Sequence, residues 1–219
     1  TTYVHAAVGH LINTVEDYRL TAIDNNKLKT LQQKPTLTKE EIIEAEIFLK
    51  EPNLLQRTND HIGMSGVIGE ETNRLIMYLV FTSRKTNRPL HIISFGSSGV
   101  GKSHLQEKVG ELIPKEDKIE LTSVSGNAFY YYVDDDLGNK LILIEDYDGM
   151  FAALYPIREL QSKQKISKTI TMRDRNGNTR TLHLTVKGPV SIGGCTTNEH
   201  VYEDNANRSF LIYLDETET

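Results

Sequence analysis

Eight consecutive residues, Gly96-Ser97-Ser98-Gly99-Val100-Gly101-Lys102-Ser103, constrain this chain more than any other feature. They satisfy the spacing G-x-x-x-x-G-K-[ST]. They follow an apolar run, Leu90 to Phe95, and open a helical pattern that starts at Lys102. Glycines let the backbone wrap close to a phosphate, while the loop N–H groups and the helix N-terminus supply positive potential. Lys102 reaches the β- and γ-phosphates of a bound nucleotide such as ATP, and the Ser103 hydroxyl ligates Mg²⁺. His104, in the first helical turn, joins the loop among the expected nucleotide contacts.

A phosphate loop that supports hydrolysis also needs carboxylates at the end of a neighbouring strand, to hold Mg²⁺ and to orient the attacking water. Leu141-Ile142-Leu143-Ile144, followed by Glu145-Asp146, supplies them in the reverse of the usual Asp-then-Glu order. By position Glu145 holds the metal through its water shell and Asp146 acts on the nucleophile, so the expected metal set is Ser103, Glu145 and Asp146; Asp148 is a third candidate acid. The apolar run from Val190 to Cys195 leads into Thr196-Thr197-Asn198. A polar side chain there, at the C-terminal end of a strand, can hydrogen-bond a γ-phosphate or the lytic water, which points to Asn198. Asn207-Arg208-Ser209 precedes the last apolar run. An arginine in that place faces away from its own nucleotide and toward a neighbour's, as a finger given in trans. Such a finger is worth roughly 10³ to 10⁵ in rate, about 4 to 7 kcal/mol of barrier.

Short apolar strands alternate with helices from Leu90 onward, which argues an α/β fold with a parallel sheet covered on both faces. The strands read as Leu90 to Phe95, Ile119 to Ser123, Leu141 to Glu145, Pro189 to Gly193 and Ser209 to Leu214. Helices are expected from Lys102, through Phe129 to Tyr132, and from Met150 to Lys163. Residues 1–60 read as a polar helical region, and residues 61–219 as the core with a hairpin inserted at about 166–186. In the first region Thr38-Lys39-Glu40-Glu41 is a capping box opening a helix whose apolar face is Ile42, Ala45 and Leu49, flanked by Ile43 and Ile47. A further helix covers Glu70 to Lys85.

At 219 residues the length suits one domain with an extension. Counting Gly and leaving out Tyr, about 40% of the residues are apolar, below the typical ~45 to 50%, so the core is lean and some surface awaits a partner. The longest apolar run, Leu75 to Phe81, is far below the ~20 residues of a membrane span. The single cysteine, Cys195, excludes an internal disulfide framework and suits a reducing cytoplasm. With no initiator Met and an acidic end just after an apolar run, the sequence reads as a piece of a longer chain.

The net charge of −5 argues against a uniformly basic surface, yet Lys163 to Lys187 holds seven Lys/Arg against Asp174, a local +6 that leaves −11 for the remainder. Asn176-Gly177-Asn178 is a turn signal within this stripe. A three-residue loop places Met172 opposite Leu182, Ile170 opposite Leu184 and Asp174 opposite Arg180, which gathers one apolar face, whereas a two-residue loop mixes the faces. Arg173, Arg175 and Arg180 then crowd the tip, and with Lys168 they are the expected contacts to a phosphate backbone, single-stranded DNA in particular.

The order of these motifs resembles the AAA+ ATPases of the pre-sensor-1 hairpin group, which include superfamily 3 and MCM-type helicases. Ile144-Glu145-Asp146-Tyr147-Asp148-Gly149-Met150 is similar to the MCM Walker B region. Gly66-Val67-Ile68-Gly69-Glu70-Glu71, Thr82-Ser83-Arg84, Arg88-Pro89-Leu90, the phosphate loop, Lys187-Gly188-Pro189-Val190, Thr196-Thr197-Asn198 and Asn207-Arg208 look like the helicase portion of phage and mobile-element primase-helicases, over residues 57–216. The resemblance implies a β5-β1-β4-β3-β2 sheet, ATP hydrolysis with Mg²⁺ between subunits of a hexameric ring, and a role in DNA replication beside a primase or other replication proteins. It makes Lys102 and Ser103 Walker A, Glu145 and Asp146 Walker B, Asn198 sensor 1 and Arg208 the arginine finger, and it puts Val67 and Ile68 beside the adenine. The chain departs from the family in having no lid with a second sensor arginine after the last strand, and no residues for primer synthesis.

An ATP-driven DNA helicase motor is the leading expectation. A AAA+ switch that remodels protein on DNA, such as a helicase loader or transposition regulator, is the alternative. A small-molecule P-loop kinase, with Arg208 acting in cis, is a further one, and a nucleotide-binding module without turnover another.

Overall fold

The computed structural model describes residues 36–132, 137–173, 179–198 and 203–214, together with residues 11, 14, 15 and 18. The chain divides into two units, Thr1–Pro52 and Asn53–Thr219. In the first, helix α1 (Lys39–Leu49) starts as its capping box requires: the Glu41 N–H donates to Thr38 Oγ1 at 3.2 Å and the Thr38 N–H donates to Glu41 Oε2 at 2.7 Å. Nothing in α1 is buried, so the expected apolar face of Ile42, Ile43, Ile47 and Leu49 is exposed.

The second unit begins at Asn53 rather than near residue 61. Helix α2 (Leu54–Met64) buries Thr58, Asn59 and Ile62, and Ile62 shares an apolar cluster with Met77 and Phe81 of α3 (Glu71–Thr82). The sheet follows. Its strands are β1 (His91–Phe95), β2 (Lys118–Leu121), β3 (Lys140–Ile144), β6 (Val190–Thr196) and β7 (Phe210–Tyr213), with β4 (Lys165–Arg173) and β5 (Thr179–Lys187) forming a separate antiparallel ribbon. The order is β2-β3-β6-β1-β7 and every pairing is parallel, which is the expected order once the ribbon is set aside.

Alternation along β3 builds a core on each side of the sheet. Ile142 and Ile144 enter one cluster with Phe129, Ile157, Leu160 and the ribbon residues Ile166, Leu184 and Val186. Leu141 and Leu143 enter the other with α3 and with Leu105 and Val109 of helix α4 (Lys102–Gly110). Two helices depart from expectation. Phe129 lies in a 3-10 turn, Ala128–Tyr131, and the third crossover is a 3-10 turn, Asp148–Ala153, running into α5 (Leu154–Lys163), whose Pro156 is tolerated in the first turn, where its missing N–H costs nothing. Edge strand β2 is only partly buried rather than continuously apolar. A short helix, α6 (Glu203–Ala206), precedes β7. Among the described residues no helix is long and apolar enough to cross a membrane.

The ribbon register corrects the sequence reading. Met172 faces Arg180 and Ile170 faces Leu182, and the last pair before the turn is Arg173 with Thr179. The shift is two residues, so the apolar face survives and the packing at the root decides among registers of equal parity: Ile166 and Val186 face each other, both buried in the core. Asp174, Arg175 and the turn residues Asn176, Gly177 and Asn178 lie outside the described residues.

Candidate nucleotide-binding site

Parallel strands bring their C-terminal ends to one edge of the sheet. Because β6 lies between β1 and β3, the loop after β1, the acids after β3 and the residues ending β6 converge. They enclose a cleft of about 470 Å³ lined by the phosphate loop, Lys102, Ser103, His104, Glu145, Asp146 and the β6 end at Cys195, Thr196 and Thr197.

The loop is shaped by positive φ at Gly96 (152°), Gly99 (93°) and Gly101 (88°), a conformation that side chains with a Cβ resist. Ser97, Ser98 and Gly99 are exposed, whereas Val100 turns inward against the core. Lys102 is buried, and its ammonium donates to the loop's own carbonyls, Gly96 O at 2.8 Å and Ser97 O at 2.5 Å. A phosphate in the loop competes with these carbonyls for the same three donors.

Each of the three acids has a defined partner. Glu145 Oε2 accepts from the Thr122 hydroxyl at 3.1 Å. Asp146 Oδ1 accepts from the N–H groups of Asp148 and Gly149, both at 3.1 Å, and so caps the turn that leads into α5. The Asp148 carboxylate lies 2.7 and 2.8 Å from the Thr196 hydroxyl and also accepts from the Thr197 N–H at 3.3 Å. Glu145 and Ser103 line the same cleft as Lys102, a hard-oxygen donor set suited to Mg²⁺ beside a polyphosphate. Among the described residues no group of three or more His, Cys, Asp or Glu is placed to hold a metal ion. Burial pushes the Cys195 thiol up to about 12, against the pull of the Ser103 hydroxyl and Lys102, so it stays protonated at neutral pH.

Asn198 stands one residue beyond the cleft wall, with its N–H on Thr196 Oγ1 at 3.0 Å. Arg208 is at the other end of the sheet. It precedes β7, which runs parallel to β1, so it lies opposite the phosphate loop, where its Nε donates to Ser162 Oγ at 2.6 Å and its Nη1 to the Asp204 carbonyl. Beside α4, Gly66 O is 3.4 Å from His104 Nε2, and Arg74 Nη1 holds Val67 O at 2.9 Å. Val67 is buried and Ile68 is 94% exposed. Of the expected DNA contacts, Arg173 and Arg180 are exposed near the ribbon's end. Lys168 instead faces inward, with its ammonium on Asn127 Oδ1 at 2.5 Å and 5.3 Å from the Tyr130 ring.

The sequence reading did not find Thr122, and within Thr196-Thr197-Asn198 it singled out Asn198, whereas Thr196 and Thr197 line the cleft. Thr122 follows Leu121, which pairs with Ile144, so the parallel β2–β3 register sets it beside Glu145; only the strand order could have revealed it.

A family model describing the MTBMA_p00010 P-loop domain matches residues 37–218. The chain belongs to this P-loop family. No curated protein matches the chain. The match is to a nucleotide-binding class of domain, and the five-stranded parallel sheet is that of a P-loop NTPase.

Proposed function

We propose that this P-loop domain is the motor of an ATP-driven DNA helicase or translocase that hydrolyses ATP between the subunits of a hexameric ring. The observation that carries the reading is the separation of Lys102 from Arg208 across the sheet. An arginine at the far end cannot serve its own cleft, but in a head-to-tail ring it meets the cleft of the next subunit. The order of motifs shared with the AAA+ hairpin group supports the same reading.

In this mechanism the phosphate loop and Lys102 hold the β- and γ-phosphates, and Ser103 and Glu145 hold Mg²⁺, which supplies charge neutralisation on the phosphate oxygens. Asp146 and Asn198 orient the water, with Thr196 and Asp148 tying the end of β6 to the turn after Glu145. Arg208 of the adjoining subunit completes the charge stabilisation, and the basic ribbon grips DNA.

The test is a mixing experiment. Lys102→Ala and Arg208→Ala are each expected to lose at least about 10³-fold in DNA-stimulated ATPase. Mixed together they should recover turnover, because an intact cleft then meets an intact finger. Mixtures as inactive as the separate variants would overturn action in trans.

A further inference from the structure

Residues 65–70 join α2 to α3, and positive φ recurs among them: Gly66 is at 109°, Gly69 at 67° and Glu70 at 59°. Backbone of this kind persists only where its surroundings over-determine it. Arg74, in the first turn of α3, does so. Its Nη1 donates to Val67 O at 2.9 Å and its Nη2 lies 3.1 Å from Glu71 Oε1, with the arginine side chain only 7% exposed. Gly63, near the end of α2, leaves room for the guanidinium: a Cβ there would stand 2.5 Å from Nη1. Packing alone does not call for a charge in this place. Arg74 Nε is buried without a hydrogen-bond partner, Glu71 is largely exposed, and an apolar side chain of similar volume avoids the cost of burying a guanidinium.

Two contacts set this segment at the phosphate-loop end of the sheet. Asn73 Nδ2 donates to Tyr213 O at 3.1 Å, at the end of β7, and the next carbonyl, Leu214 O, closes on Gly96. Gly66 O is 3.4 Å from Nε2 of His104, which lines the cleft with Lys102 and Ser103. Between the glycines Val67 is buried with its carbonyl taken by Arg74, and Ile68 is held out in water.

We infer that Arg74 is a positioning residue for the nucleoside half of a bound nucleotide: it fixes segment 66–69 as a wall on which base and sugar rest, with Ile68 as its apolar surface, while the phosphate loop takes the polyphosphate. The inference rests on nucleotide binding at the loop and is independent of ring, finger and DNA. The faces of a base are apolar, so covering Ile68 removes apolar area from water. A planar fork reaches Val67 O and Glu71 together, which a single ammonium does less well.

The full chain is titrated by calorimetry with ATP and with inorganic tripolyphosphate, both with Mg²⁺. The wild-type chain is expected to bind ATP the more tightly. Arg74→Leu should lose at least about tenfold in ATP affinity, the worth of one positioned contact, and keep its affinity for tripolyphosphate. Arg74→Lys, which retains a charge and donors, should fall between. Ile68→Ser, at an exposed position, should lose ATP affinity alone with its melting temperature unchanged, and together with Arg74→Lys it decides the matter if Arg74→Leu does not fold. Lys102→Ala should lose both ligands. A wild-type chain that binds neither ligand overturns nucleotide binding and the wall with it. Equal wild-type affinity for the two ligands overturns the wall alone. So do Arg74 and Ile68 variants that weaken both ligands to the same degree, or that bind ATP as the wild-type chain does.

Discussion

Gly96 shows how narrowly single residues are determined in this site. Its φ of 152° is one that side chains with a Cβ rarely adopt, and a Cβ there would lie 2.7 Å from the Leu214 carbonyl and 3.2 Å from Val100 Cγ2. Gly99, at φ 93°, has nothing within 4 Å of the same position. Gly96→Ala therefore carries backbone strain and a clash with β7's end, whereas Gly99→Ala carries strain alone. We expect Gly96→Ala to lower stability by about 1 to 3 kcal/mol, more than Gly99→Ala, with a matching loss of nucleotide affinity. Equal midpoints for the two variants in urea denaturation would refute the role given to Leu214. The glycine itself is visible in the motif. Its contact with Leu214, more than a hundred residues away, is visible only once β1 and β7 are paired.

At the scale of elements, β1 carries a pH dependence that the motif gives no hint of. His91 opens the strand and is buried, its ring held by the Gln161 carbonyl with Nδ1 left without a partner. Burial outweighs that hydrogen bond and lowers its pKa from 6.5 to about 4. The unfolded chain therefore binds the extra proton first, and stability is full above about pH 6.5 and lost as pH falls toward 4. The shift corresponds to about 3 kcal/mol. A plot of unfolding free energy against pH should fall across that window, and His91→Gln should flatten it; an unchanged slope would remove His91 as the cause. The ribbon teaches a related lesson. Apolar alternation in 166–186 specifies which residues share a face, but registers two residues apart satisfy it equally, and the buried Ile166–Val186 pair chooses between them.

For the whole molecule, edge strand β7 leaves Phe210, Leu211 and Tyr213 about half exposed. A subunit whose finger serves its neighbour should assemble when nucleotide is bound. Mass measured in solution is expected to rise to that of a ring with a non-hydrolysable ATP analogue and single-stranded DNA. A monomer under all conditions would leave Arg208 without a cleft to complete.

Local chemistry is what the sequence by itself determined. The phosphate loop, the acids after an apolar strand and the alternation of strands and helices are short-range patterns, and each was readable because its spacing follows from backbone geometry. Tertiary structure decided which distant groups meet. The order β3-β6-β1 sets Thr196 and Thr197 in the cleft and Asn198 just beyond it, β2 beside β3 delivers Thr122 to Glu145, and the packing of the 3-10 turn at Ala128–Tyr131 draws Lys168 inward. The reason is physical. A side chain's spacing along the chain is fixed locally, but its partners depend on strand order and on which apolar surfaces bury each other, and those are settled by the whole core at once.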